Sequence, residues 1–102
     1  MKKIINGKMY NTETAVKLGT GKSRLPVNDF GYYKEALYRK RTGEYFLYGE
    51  GGARSKYATQ RELNSFGPGD GFTPLTESGA RIWAEKHLDA DEYCEIFGEP
   101  EE

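Results

Sequence analysis

Cysteine, histidine and tryptophan each occur once in this chain, as Cys94, His87 and Trp83. A lone cysteine excludes an internal disulfide and fits a reducing compartment. One Cys and one His are too few for a zinc-type ligand set. The run "DADE" at 89–92 reads as a helix cap and first turn before it reads as a cation site. His87 falls beside Trp83 and Ala84 on a predicted helix, which is a packing position. Glu92 and Glu95 around Cys94 are the wrong surroundings for a nucleophilic thiolate. Glu35, Glu44, Glu50 and Asp70 have no spacing that gathers them on one metal. Glycine is plentiful, at thirteen, yet no stretch makes a phosphate loop: "GEGG" is not followed by Lys-Ser/Thr, and "GTGKS" lacks the upstream glycine. The expectation is a protein that is not an enzyme, with no catalytic residue, metal or cofactor.

Long hydrophobic runs are also missing. No stretch approaches the roughly 18–20 apolar residues of a membrane span, and "MKKIINGK" lacks the apolar segment of a signal peptide. A cytoplasmic protein without a membrane partner is expected. The 102 residues are 36% hydrophobic and 30% charged, so the core is lean, and eight Tyr and five Phe must do much of the filling. One α+β domain over 1–98 with an acidic tail at 99–102 accounts for this length.

The net charge of −1 conceals an asymmetry. Residues 1–61 hold thirteen Lys and Arg against five Asp and Glu, while residues 62–102 hold two against eleven. Seven of the eight Tyr lie in the basic half. Two surface patches of opposite sign follow, unless folding interleaves them.

Asn6-Gly7 between "KII" and "KMY" predicts a tight hairpin, because both turn residues tolerate positive φ. Asn11 or Thr12 as cap, Glu13 in the first turn and Gly19 as stop predict a short helix near 12–18. Residues 20–32 read as loop. In "LYRKRTGEYFLYGEGG", a three-residue turn at 41–43 closed by Gly43 pairs Lys40 with Glu44, Tyr38 with Phe46 and Ala36 with Tyr48. Leu37–Leu47 and Arg39–Tyr45 then share the opposite face. Large side chains on both faces imply that one packs under helices and the other is offered to a partner. Residues 53–71 read as irregular, with "GPGDG" at 67–71 as a breaker, and "FTPL" reads as an edge strand because Pro74 has no N–H to donate. Thr76 and Asp89 cap predicted helices over 77–88 and 90–97, with Gly98 as the final stop. The fold class is α+β: a small antiparallel sheet of two hairpins and an edge strand, a short helix at 12–18 and a C-terminal helical pair over 77–97.

Two candidate interaction surfaces follow. The hairpin side offers Arg39, Lys40, Arg41, Arg54 and Lys56 with Tyr33, Tyr45 and Tyr57, which suits phosphates and stacked bases; Lys34 and Tyr32 share this composition. Edge lysines that block aggregation and tyrosines that fill a core would look the same. The helical side offers Glu77, Glu85, Asp89, Asp91, Glu92 and Glu95, a stripe able to compete with phosphates for a basic channel on a protein. An ordinary solvated helix face would also look like this.

Three blocks, "KKIINGKMYNTETAVKLG", "LYRKRTGEYFLYGEGGARSKYA" and "TPLTESGARIWAEKHLDADEYCEIFGE", resemble a family of small proteins from plasmids, conjugative elements and phages of Gram-positive bacteria. Some similar mobile-element proteins are type II anti-CRISPR inhibitors. The resemblance implies a non-enzymatic inhibitor whose partner is the host's type II RNA-guided effector nuclease, blocking guide RNA loading or DNA engagement. The alternative is a nucleic-acid-binding accessory protein of the mobile element, with RNA as a partner of the basic hairpin. A metal-dependent nuclease is a third and weaker reading. The resemblance supplies no catalytic residues and leaves the oligomeric state open.

Overall fold

A computed structural model describes residues 1–101; Glu102 of the acidic tail lies outside them. Three antiparallel sheets form: a hairpin of β1 (Lys2–Ile5) and β2 (Lys8–Asn11); a four-stranded sheet of β3 (Val16–Lys22), β4 (Tyr33–Arg39), β5 (Tyr45–Gly51) and β8 (Gly69–Leu75); and a small hairpin of β6 (Thr59–Glu62) and β7 (Ser65–Gly67). The main sheet runs in the order β3-β4-β5-β8. Helices α1 (Glu77–His87) and α2 (Ala90–Phe97) close the chain. The fold is α+β, with a small antiparallel sheet and a C-terminal helical pair.

Local chemistry sets the turns. Asn6 (φ 50°) and Gly7 (φ 79°) make the turn between β1 and β2, and Gly43 (φ 93°) closes the β4–β5 turn in the register the sequence specifies, Tyr38 opposite Phe46 and Arg39 opposite Tyr45. The helix ends are capped as their sequences direct. Thr76 accepts from the Gly79 amide at 3.0 Å, and Asp89 and Glu92 form a reciprocal capping box.

The sheet is packed on both faces. Leu37, Tyr45 and Leu47 lie under Ala80, Trp83 and Ala84 of α1, with Leu75, Leu88 and Phe97 at the margin. On the other face, Tyr38 stacks on Phe46 with centroids 5.1 Å apart, and Tyr10 of the N-terminal hairpin meets Phe46 edge-on at 5.4 Å. The face expected to be open to a partner is therefore covered at this end by the N-terminal hairpin.

Three sequence expectations need correction. No helix forms over 12–18. Asn11 uses its capping oxygen to hold the Glu13 amide at 2.9 Å in an Asx turn, and Val16 onward enters β3, where β-branched Val16 and Thr20 suit a strand and Gly19 and Gly21 disfavour a helix. The loop expected from residue 20 consequently begins after Lys22. The segment 53–71 contains β6, β7 and the start of β8, so that Gly69 and Gly71 of "GPGDG" are strand residues and Pro68 alone separates β7 from β8.

Leu37 and Phe46 are fully buried, one in each face of the sheet. Leu37→Ala is expected to lower stability by about 2–5 kcal/mol through lost burial and a residual cavity. Asp89→Ala, which removes only a cap, should lower it by about 1 kcal/mol. Urea unfolding monitored by Trp83 fluorescence measures both.

Candidate functional site

Glycines at alternate positions shape the helix-side face. Register places Gly21 of β3, Glu35 of β4, Gly49 of β5 and Gly71 of β8 in one row across the sheet. The absence of side chains beside Glu35 lets two rings lie against the backbone. A Cβ at Gly49 would stand 2.3 Å from Cζ of Tyr57, and one at Gly21 would stand 2.6 Å from the His87 ring. Into this trough Glu35 projects a carboxylate that is 3% exposed. Lys56 pairs with it at 2.7 Å, Trp83 donates its indole N–H at 3.0 Å, and the Tyr57 hydroxyl donates a third, short bond.

This carboxylate ties three separate segments together: strand β4, the 52–58 loop and helix α1. Burial alone pushes its pKa up, but the donors Lys56, Tyr57 and Trp83 outweigh burial and hold it below the usual carboxylate value of 4.5. Burial followed by the bond to Glu35 moves the Tyr57 phenol upward, so it stays a donor. The His87 ring lies tilted against Trp83 with centroids 4.8 Å apart, and burial holds its pKa below 6.5.

The 52–58 loop in turn fixes the loop between β3 and β4. Gly52 donates to the Tyr32 carbonyl at 2.9 Å and Arg54 to the Phe30 carbonyl at 2.8 Å. Tyr33 packs against Tyr57 at 6.2 Å and lies 4.7 Å beneath the Lys56 ammonium. Arg24 and Tyr32 are thereby set at the rim of a groove of about 1290 Å³ that runs along β3 and β4. Its floor comes from the face opposite the helices: Lys17 beside Tyr38, Thr20 beside Ala36 and Tyr48, and Lys22 beside Lys34. Lys86 and His87 line it where it passes Gly21.

The groove is electrostatically unusual for a sheet. Lys22 and Lys34 are directly opposed across β3 and β4, an arrangement that destabilises a bare sheet. Lys34 pairs with Glu50 at 3.1 Å, whereas Lys17, Lys22, Arg24 and Lys86 have no ion-pair partner among the described residues. Tyr48 donates its hydroxyl to Asp70 at 2.5 Å, and its phenol pKa is raised by burial and by that bond.

Lys34 and Tyr32, which share the composition expected of the basic surface, line this groove, but most of the hairpin set does not. Tyr33 alone of the proposed hairpin set lines it. Arg39, Lys40 and Arg41 lie at the far end of β4, where the Lys40 ammonium sits 3.7 Å above the Tyr10 ring. Tyr45 is buried against Phe97, and Tyr57 is buried on Glu35, so neither ring is available to a partner. Arg54 is exposed beside them, while Lys56 is committed to Glu35. The hairpin set is thus split between the two ends of the strand. In the acidic set, Glu77 pairs with Arg81 at 3.2 Å and Asp89 and Glu92 serve the capping box. Glu85, Asp91 and Glu95 are exposed with no partner among the described residues.

Comparison with family models, curated proteins and solved structures finds no match. Geometry therefore carries the functional reading. Lys17, Lys22 and Arg24 are hidden in the sequence because 12–18 carries the capping pattern of a helix and 20–32 the composition of a loop. With β3 paired to β4, Thr20 and Lys22 share one face by alternation, and the register shift between Lys17 and Gly19 brings Lys17 onto the same face.

Glu35→Gln is expected to lower stability by about 2–4 kcal/mol at neutral pH, since it leaves donors from Lys56, Tyr57 and Trp83 without their charged acceptor. A folded-state pKa below the unfolded one means that this stabilisation is complete above pH 4.5 and is lost as pH falls through the depressed folded value. Urea titrations of both proteins at neutral and acid pH should show the gap closing on acidification.

Proposed function

We propose that the chain is a non-catalytic binding protein whose groove on β3 and β4 takes nucleic acid. The observation that carries this reading is the directly opposed pair Lys22 and Lys34, set among the unpaired Lys17, Arg24 and Lys86. Glu50 pairs with Lys34 at 3.1 Å, which leaves Lys22 facing a cation with no carboxylate of its own, a placement that phosphate binding makes favourable. Tyr32 and Tyr48 on the same groove supply ring surface for bases. On this reading the basic surface lies on the β3–β4 side of the sheet, and Arg39, Lys40 and Arg41 near the central turn take no part in it.

Binding of a fluorescent oligonucleotide tests the reading. The logarithm of affinity should fall against the logarithm of salt concentration with a slope of about −3 to −4, as expected for about four phosphate contacts. The double variant Lys17→Ala, Lys22→Ala should bind more weakly and reduce that slope by about one to two. A slope near zero, or an unaltered slope in the variant, contradicts the reading.

A second reading rests on the other half of the charge asymmetry. Residues 89–101 contain six Asp and Glu and no Lys or Arg, and Asp91 and Glu95 stand one helical turn apart on the exposed side of α2. Such a surface fits the basic channel of an RNA-guided effector nuclease, in line with the resemblance to mobile-element inhibitors. On this reading, a type II effector is captured in its guide-free form, guide assembly is lost, and Glu85→Lys with Asp91→Lys and Glu95→Lys abolishes capture. Pull-down and target-cleavage assays with and without guide RNA decide it.

A further inference from the structure

The charges on the groove face are ordered across the sheet. One row reads Lys22, Lys34, Glu50, Asp70 from β3 to β8, so cations occupy the two strands on one side and carboxylates the two on the other. Lys17 and Arg24 extend the positive side along β3 and beyond its end. Neighbouring strands are about 4.8 Å apart. The positive rail on β3 therefore stands about 10 Å from the ring of Tyr48 on β5, with Ala36 as a low floor between them.

We infer that the groove admits one nucleic-acid strand and rejects a duplex, with the backbone along β3 and a base on Tyr48. This rests on the nucleic-acid reading above and specifies its ligand. A single backbone lies over the unpaired Lys17, Lys22 and Arg24 on the β3 side. A duplex brings a second backbone across the sheet, where Glu50 is already paired with Lys34 at 3.1 Å and Asp70 carries negative charge, so that backbone meets no cation and is repelled. Base faces are also the only nucleic-acid surface that a tyrosine ring stacks on well, and a duplex hides them. Tyr48 is held for that role: its hydroxyl bonds Asp70 and its ring leans on Phe72 at 4.9 Å. From Lys17 to Lys22 the rail is about 15 Å long, which suits a few nucleotides.

Fluorescence anisotropy with a labelled single strand and with the same sequence as a duplex tests this, with folding of each variant checked by thermal unfolding. The single strand should bind at least about tenfold tighter than the duplex, and Tyr48→Ala should lose roughly tenfold for the single strand while Tyr48→Phe stays within about twofold. Glu50→Gln combined with Asp70→Asn should raise duplex affinity toward that of the single strand, a gain that a merely structural role would not produce. Equal affinity for both forms in the unaltered protein, or an unchanged duplex affinity in the carboxylate variant, overturns the inference. If the duplex binds as well as the single strand and Lys17→Ala, Lys22→Ala still weakens both, the groove reading stands and the single-strand inference fails. If neither form binds, both fail.

Discussion

A carboxylate buried beside glycine is the constraint on which the rest of this fold depends. Glu35 loses its water and keeps its charge, which is tolerable only because Lys56, Tyr57 and Trp83 surround it. Those three donors come from a loop and a helix distant in sequence, so satisfying one side chain closes the tertiary structure. Gly21 and Gly49 are its necessary complement. A side chain at Gly49 would lift Tyr57 off the sheet and break its bond to Glu35, and one at Gly21 would displace the His87 ring that lies beside Trp83.

The consequence passes through the sheet to its other face. Once Tyr57 is docked, the 52–58 loop holds the carbonyls of Phe30 and Tyr32, and these set the rim from which Arg24 and Tyr32 face the groove. The groove is thus assembled by a polar contact on the opposite side of the sheet. Helix-side residues provide rigidity, and the opposite face carries cations without a carboxylate partner at Lys17 and Lys22. The Lys22–Lys34 juxtaposition is eased on one side by Glu50, which pairs with Lys34 at 3.1 Å.

Much of the architecture is legible in particular residues. Thr76, Asp89 and Gly98 mark the helical pair, and the turn at 41–43 specifies the central hairpin register because only one alignment closes on Gly43. The helix expected at 12–18 fails because Asn11 serves an Asx turn as readily as a cap, and the segment is too short for its periodicity to decide. That single error hides the groove, since the facing of Lys17 and Lys22 is meaningless until β3 is a strand. The pairs Gly19/Gly21, Gly49/Gly51 and Gly69/Gly71 carry a period of two that signals a flat strand face, yet glycine also marks turns and phosphate loops. Glu35 alternates with Tyr33 and Leu37, so its inward direction is legible. Its partner Trp83, 48 residues away, is not.

The most direct test of the account is a nitrogen-15 chemical-shift titration of the protein with a short single-stranded oligonucleotide. Movement is expected at Lys17, Thr20, Lys22, Arg24, Lys34 and Tyr48, with the amides of Asp91 and Glu95 unmoved. Shifts confined to the Arg39–Arg41 turn, or no shifts at a saturating concentration of strand, would contradict it.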